Sequence, residues 1–251
     1  MFGWRKRIGF ISPTVIEVIP YDFYRFAPDG VGLVGVTCNI EGWAKDQYDI
    51  ALATVERLAQ YLASRQVDFI IHGGAPLVVS RGKGFDLELI ARIEKLTGIP
   101  ASTTVRAAMD ALNHVGIGKL VLASPFPEDL NRQVAAFLEA YGFSVLHTAT
   151  LNVPFKELQN VPPSVIYRFA VEAAKRTPGA DGLYMPCPQW PVADIVEILE
   201  RDIQKPVVAS DPADFWSAFR RLGIRDHITG YGMLLASLAA DVSAKDKPGK
   251  S

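Results

Sequence analysis

The chain has 251 residues, with 26 lysines and arginines against 27 aspartates and glutamates, so its formal net charge is −1. Apolar residues make up 49% of the sequence, and there are only two cysteines, Cys38 and Cys187. This composition excludes a disordered or collagen-like chain and a disulfide scaffold, and it argues against a protein that binds nucleic acid through a basic excess.

The basic N-terminus runs into the apolar segment 8–11, as a signal peptide does. However, Pro13 and Glu17 interrupt the apolar run, and no small-residue cleavage site follows. No segment reaches the roughly 18 apolar residues that a membrane-spanning helix needs. We therefore expect a soluble, cytoplasmic protein with free thiols and no membrane partner.

Apolar periodicity predicts a regular alternation of strands and helices along the first half of the chain. Strands are expected over 7–12, 31–37 and 67–71, and helices over 46–64, 85–97 and 104–114. Such alternation is typical of an α/β fold with a parallel sheet.

The second half of the sequence repeats the first. Residues 119–125 resemble residues 7–13, and the segment from Ala180 to Cys187 resembles the segment from Val67 to Gly74. The repeat predicts two similar Rossmann-like α/β lobes with parallel sheets, related by a pseudo-twofold axis, with the active site between them. We expect a first lobe over 1–116 with a C-terminal return over 223–240, a second lobe over 117–222, and a flexible tail over 241–251.

Ligands of open α/β sheets bind at the carboxyl ends of the strands, and this is where Cys187 is expected. Gly74 and Cys187 occupy equivalent positions, each at the same distance after the repeated Asp68 or Asp181. The two lobes therefore present a glycine and a thiol across one cleft. A helix that begins near Ala193 is expected to make the thiolate more accessible. The alternative is that Cys187 is a small buried core residue, the usual state of an intracellular cysteine.

Other candidate residues give weaker indications. Cys38 is expected to pack in the core or a pocket wall, and His72 is either buried or close to the cleft. No pair of histidines has metal-ligand spacing, so we expect no metal, and no cofactor motif is present.

With its internal repeat and its cysteine at the end of a strand, the sequence resembles those of the aspartate/glutamate racemase superfamily. The resemblance is closest to the arylmalonate decarboxylase and maleate isomerase branch. The resemblance runs from about Arg7 to Leu235. It includes GFISPTVIEVIPYDFYRFAP, GGAPLVVSRG, VLASPFPEDLNRQVAAFLE, DGLYMPCPQW and KPVVASDPADFWSAFR.

The resemblance implies a mechanism. Racemases and maleate isomerases of the superfamily use one cysteine from each lobe, whereas arylmalonate decarboxylase has glycine at the first position. Gly74 and Cys187 match the decarboxylase pattern. A malonate-type substrate would lose CO2 without a cofactor, and Cys187 would protonate the resulting enediolate on one face.

The sequence departs from the family in the loops that hold the substrate. In the loop after the glycine, Ala75 and Pro76 stand where the family has hydroxyl residues. Phe126 replaces the family's tyrosine after the first strand of the second lobe, and Pro188 replaces the glycine that follows the cysteine. The remaining candidates for substrate binding are the backbone N–H groups and hydroxyls of nearby residues. We expect the substrate-binding set to be Gly74, Ala75, Pro76, Pro13, Thr14, Tyr48, Ser124, Phe126 and Pro188.

Three functions stay open at this point. The first is a cofactor-independent decarboxylase of a small carboxylate, with Cys187 as proton donor. The second is a maleate isomerase-like or racemase-like isomerase that uses Cys187 alone. The third is a small-carboxylate binding protein without catalysis. In each case the partner is a small carboxylate rather than nucleic acid, and the protein is expected to be a monomer or a small homo-oligomer.

Overall fold

The computed structural model describes residues 2–243 and contains two four-stranded parallel sheets of identical topology. The strand orders are β2-β1-β3-β4 and β6-β5-β7-β8. The first sheet comprises β1 (Lys6–Ser12), β2 (Val31–Thr37), β3 (Phe69–His72) and β4 (Ala101–Thr103). The second comprises β5 (Lys119–Ser124), β6 (Ser144–Thr150), β7 (Gly182–Met185) and β8 (Val207–Ala209). The predicted pair of parallel α/β lobes is therefore confirmed.

Helices cover the faces of both sheets. The helices are α1 (Val18–Phe26), α2 (Lys45–Ser64), α3 (Ala75–Val79), α4 (Phe85–Thr97), α5 (Thr104–His114), α6 (Glu128–Ala140), α7 (Pro163–Lys175), α8 (Ala193–Ile203), α9 (Ser210–Arg221) and α10 (Met233–Ser243), with one 3-10 helix over Phe155–Asn160. Because the sheets are covered on both sides, every residue of β3 and β7 is buried, which explains their largely apolar sequence.

The repeat extends to individual hydrogen bonds. Asp68 accepts the N–H of Arg7 at 2.7 Å, and Asp181 accepts the N–H of Lys119 at the same distance. The two repeated aspartates are therefore structural. Asp68 connects the start of β1 to the start of β3, and Asp181 connects the start of β5 to the start of β7. This role explains why the aspartates recur at equal distances before the cleft.

The helix α9 connects the two lobes. Phe215 on α9 packs its ring 6.1 Å from Phe10 of β1 and 4.7 Å from Phe23 of α1, measured between ring centroids. Helix α9 also packs against α5, so a helix from each half of the chain meets at the centre of the molecule. Arg5 pairs with Asp226 at 2.8 Å and ties the segment after α9 to the N-terminus.

The predicted lobe boundary near residue 116 falls in the turn between α5 and β5. The exact division into 1–116, 117–222 and 223–240 stays a prediction, and α9, which was assigned to the second lobe, packs against strands of both sheets. The predicted tail begins inside α10, which continues to Ser243, and residues 244–251 lie outside the described part of the chain. Within residues 2–243, no helix has both the length and the apolar character to cross a membrane.

Candidate active site

A narrow cleft of about 40 Å³ lies between the two lobes, at the carboxyl ends of both sheets. Loops that follow β1, β2 and β3 form one wall, and loops that follow β5, β6 and β7 form the other. Its lining residues are Pro13, Thr14, Ile40, Trp43, Gly74, Pro76, Leu77, Phe126, Phe155, Leu158, Cys187, Pro188 and Gln189.

Gly74 and Cys187 lie in this cleft with similar, unusual backbone conformations. Gly74 has φ of 89°, and Cys187 has φ of 134°, a region that residues with a side chain rarely adopt. Strained non-glycine residues of this kind concentrate at functional sites. The N–H of Cys187 donates to Ser210 Oγ at 3.0 Å, and its carbonyl accepts from Trp190 N–H at 3.1 Å. These bonds hold the strained residue in place.

Burial raises the pKa of the Cys187 thiol to about 12, and the nearby charge of Asp211 acts in the same direction. The N–H groups of Gln189 and Trp190 favour the thiolate but do not offset the burial. The expectation of a more accessible thiolate is therefore wrong, because the side chain is only 5% exposed. At neutral pH the group is a protonated thiol that is able to donate a proton.

The structure brings most of the predicted site residues to one place. Seven of them line the cleft: Pro13, Thr14, Gly74, Pro76, Phe126, Cys187 and Pro188. Ala75 is buried between two of these residues but does not itself line the cleft. Their roles in substrate binding stay predictions.

Ser124 and Tyr48 lie outside the lining. Ser124 is fully buried, and its hydroxyl donates to Asn131 Oδ1 at 2.6 Å and accepts from Phe126 N–H at 3.0 Å. Ser124 therefore shapes the loop that carries Phe126 and has no free hydroxyl for a substrate. Tyr48 on α2 lines a neighbouring cavity together with Pro127 and Lys45.

The donors available to a substrate carboxylate are fewer than the sequence suggests. The Cys187 N–H is already bonded to Ser210. The N–H groups of Gly74 and Ala75 donate to no acceptor among the described residues. These two N–H groups and the Thr14 side chain are the polar groups of the first lobe that we consider available to bind a substrate carboxylate.

The sequence did not predict several residues of the cleft lining, most of which are apolar. Ile40, Trp43, Leu77, Phe155, Leu158 and Gln189 also line the cleft. Trp43 packs edge-on against Phe126 and Phe155, at 5.3 and 4.6 Å between centroids. Gln189 had a local signal, since it follows the predicted Cys187–Pro188 pair. Trp43 and Phe155 had no such signal. They lie outside the regular strands and helices, and apolar periodicity does not predict the position of such residues.

Fold and site together define a twin-lobed α/β enzyme with one thiol in its inter-lobe cleft. The family model for arylmalonate decarboxylase matches residues 8–235, and the chain belongs to this family. This confirms the resemblance to the arylmalonate decarboxylase and maleate isomerase branch and the prediction of an enzyme.

Individual relatives agree with this placement. Arylmalonate decarboxylase of Bordetella bronchiseptica is 28% identical over 223 residues, which cover 86% of this chain and 90% of that protein. A crystal structure of arylmalonate decarboxylase has a TM-score of 0.82 at 26% identity and covers 91% of this chain and 98% of that one. A maleate cis–trans isomerase from Nocardia farcinica, solved with a covalently bound succinylcysteine intermediate, shares the fold. Its TM-score is 0.85 at 20% identity, over 92% of this chain and 98% of that one.

Proposed function

We propose that the protein is a cofactor-independent decarboxylase of a small malonate-type carboxylate, with Cys187 as the single proton donor. The observation that carries this proposal is the pair across the cleft, a protonated thiol at Cys187 and a glycine at the equivalent position 74. A single acid suits protonation from one face, whereas racemisation requires a second acid or base opposite the first.

In the proposed reaction, the C–C bond to one carboxylate breaks, CO2 leaves, and its electron pair forms a planar enediolate. Backbone N–H groups at Gly74 and Ala75 are the donors we assign to the developing oxyanion, because preorganised donors stabilise such charge. The Cys187 S–H then protonates the carbanion carbon on the face that the second lobe covers. The apolar wall around Trp43 excludes water and favours loss of the charged carboxylate.

The alternative is an isomerase that acts on a double bond by covalent addition of Cys187. The succinylcysteine intermediate of the Nocardia enzyme gives a chemical precedent within the same fold. The raised pKa of Cys187 argues against this alternative, because addition requires the thiolate. A binding protein without catalysis is not supported, since the relatives matched over most of the chain are enzymes.

The experiment incubates the protein in D2O with aryl- and alkylmalonates, maleate and acidic amino acids, and follows CO2 release and deuterium incorporation by NMR. CO2 with singly deuterated product is expected from a malonate. Cis–trans conversion or deuterium exchange without CO2 would establish the isomerase instead.

Substitution of the thiol tests its role directly. Cys187→Ala is expected to lower kcat about 100-fold or more, because it removes the proton donor. Cys38→Ala is the matched control, since Cys38 is also buried but does not line the cleft, and its kcat should stay close to wild type. Equal turnover by Cys187→Ala and wild type contradicts the mechanism.

A further inference from the structure

A second cavity, of about 340 Å³, adjoins the narrow cleft, and we call it the side cavity. The two cavities share five lining residues: Thr14, Ile40, Phe155, Leu158 and Gln189. The cleft has room for about three water molecules, whereas the side cavity has the size of a small-molecule site. A malonate whose reacting carbon lies beside Cys187 therefore has room for its side group in the side cavity.

Gln189 lies where the two cavities meet, and its side chain crosses from the second lobe to the first. It is only 5% exposed, and its Nε2 donates to the backbone carbonyl of Val15. A carbonyl only accepts hydrogen bonds, so the amide nitrogen has to face Val15 and Oε1 lies at the other end of the amide. Within residues 2–243, this Oε1 is buried and has no hydrogen-bond partner.

A buried acceptor without a donor is costly, and such a group in a folded protein requires an explanation. The position of Gln189 supplies one, because the residue lines the space that a ligand would fill. A ligand that carries an O–H or N–H group at this point would provide the donor that the protein itself does not.

The other polar groups of the side cavity are also mostly acceptors. Gln159 uses its Nε2 on the backbone carbonyl of Lys156, at 3.1 Å, which leaves its Oε1 as an acceptor. The carboxylate of Glu17 does not cap α1, the helix that it precedes. The Lys156 ammonium lies 3.5 Å from the Glu41 carboxylate. Two carboxylates thus oppose one ammonium, so the side cavity favours a side group that donates hydrogen bonds over one that is itself an anion.

We propose that the substrates are malonates whose side group carries an O–H or N–H donor, and that Gln189 Oε1 accepts this donor. The proposal rests on the decarboxylase function and adds the substrate class. Gln189 determines specificity in this assignment and takes no part in bond breaking or proton transfer.

The position of Gln189 in the chain also links recognition to the chemistry. Gln189 follows Cys187 by two residues, in the loop after β7. A side group that is held by Oε1 therefore keeps a fixed orientation toward the proton donor, and a fixed orientation is a large part of an enzyme's rate advantage.

The first test measures binding and needs no turnover. The probes are the monocarboxylates that decarboxylation of arylmalonates would yield: phenylacetates with a hydroxyl at the ortho, meta or para position, each compared with its methyl counterpart by titration calorimetry. At least one hydroxyl compound is expected to bind wild type about 10-fold or more tightly than its methyl counterpart, because only the hydroxyl satisfies Oε1. Equal affinities in all three pairs would show that Oε1 is satisfied without the ligand and would overturn the proposal.

Substitution of Gln189 identifies the acceptor. Gln189→Met keeps a side chain of similar length without the amide oxygen, and it is expected to bring the hydroxyl-to-methyl affinity ratio close to 1. The contact with Val15 is lost for both members of a pair, so the ratio reports on Oε1 alone. Gln133→Leu is the matched control, because Gln133 lines the cavity of Tyr48 and not the side cavity. A preference that persists in Gln189→Met would mean that another group accepts the donor, and the assignment would be wrong.

The second test uses the corresponding arylmalonates and follows CO2 release. In wild type, kcat/KM is expected to be about 10-fold or more higher for the favoured hydroxyl compound than for its methyl counterpart, and this ratio should fall toward 1 in Gln189→Met. A carboxyl group at the same ring position should lower kcat/KM below that of the methyl compound, because of Glu17 and Glu41.

The two proposals fail in distinguishable ways. If the malonates are decarboxylated with no preference for a donor, the substrate class is wrong and the decarboxylase function stands. If the monocarboxylates show a preference that Gln189→Met abolishes but no malonate releases CO2, the role of Gln189 stands and the decarboxylase function is wrong.

Discussion

At the scale of single residues, positions 74 and 187 are marked by their backbone conformation. Both residues have positive φ, and a Cβ placed on Gly74 would approach Pro13 Cγ to 2.9 Å. In the second lobe a cysteine adopts positive φ, and hydrogen bonds to both its N–H and its C=O stabilise this conformation. The first lobe has a glycine, for which the conformation is free of strain.

Gly74→Ala is therefore expected to lower the free energy of unfolding by about 1–3 kcal/mol, from positive φ and from the clash with Pro13. Gly142→Ala is the matched control, because Gly142 has φ of 96° but open space around it. Chemical denaturation gives the free energy of unfolding of both variants, and the difference between their losses measures the cost of the contact with Pro13. Equal losses would show that the Pro13 contact relaxes without cost.

The raised pKa of Cys187 predicts weak reactivity toward alkylation. In the Cys38→Ala background at pH 8, iodoacetamide should modify folded Cys187 at least about 100-fold more slowly than the unfolded chain. The rate should still be rising with pH above 9, because the thiolate forms only near its pKa of about 12. Mass spectrometry at a series of pH values gives the profile, and a plateau near pH 7 would contradict the assignment of a proton donor.

The sequence predicted the Gly74–Cys187 pair because the repeat fixes both positions relative to Asp68 and Asp181. It did not predict that Ser124 is unavailable, since the partner of its hydroxyl, Asn131, lies on a helix whose placement depends on tertiary packing. The burial of Asp22 and Asp211 was missed for the same reason. An aspartate in an amphipathic helix is usually solvated, and only packing reveals these as buried.

At the scale of elements, two irregular segments close the mouth of the cleft. The 3-10 helix Phe155–Asn160 of the second lobe meets the segment around Trp43 of the first, through the Trp43–Phe155 ring contact. Lys156 and Glu41 also pair at 3.5 Å, but both side chains are more than 70% exposed. An exposed pair contributes little, so the ring contact is the main restraint.

Phe155→Ala is expected to widen the cleft and to raise kcat/KM for bulky malonates relative to small ones. The reason is that the variant removes one ring from the apolar wall and leaves the Cys187 loop intact. Lys156→Ala is the control and should not change this ratio. Rates for malonates of increasing side-group size give the comparison, and an unchanged ratio for Phe155→Ala would show that this ring does not limit size.

Apolar periodicity predicted three long helices of the first half of the chain, whereas α6 and α7 of the second half were not predicted. The predicted helices 46–64, 85–97 and 104–114 agree with α2, α4 and α5 to within one residue at each end. The 3-10 helix at 155–160 was not predicted, because it has a single buried residue, Leu158, and therefore no apolar period. Strand β6 was also missed, since it is an edge strand and no residue of it is fully buried.

At the scale of the whole molecule, the buried acids make stability depend on pH. Asp22 has a pKa raised to about 7 in the folded state, so the folded chain binds its proton more tightly than the unfolded chain. Its stabilising contribution is complete below about pH 4 and is lost as the pH rises toward 7. Asp211 and Asp214 act in the same direction.

Asp22→Asn should therefore remove part of this dependence. We expect the variant to match wild type near pH 4 and to exceed its free energy of unfolding at pH 8 by about 4 kcal/mol. Asparagine keeps an oxygen for the Ala193 N–H. Denaturant unfolding at both pH values checks the difference, and a variant less stable than wild type at pH 8 would mean that the fold stabilises the ionised Asp22 and does not raise its pKa.

The packing of α5 and α9 also bears on how far the two halves of the molecule can diverge. Helix α5 contacts β4 and β8, and helix α9 contacts β3, β4 and β8, so each of these helices packs against strands of both sheets. A substitution in either helix therefore affects both lobes. Positions 74 and 187, in contrast, each lie in a loop of a single lobe, after β3 and after β7. The two halves can therefore differ in chemistry at the cleft while the shared centre of the molecule stays the same.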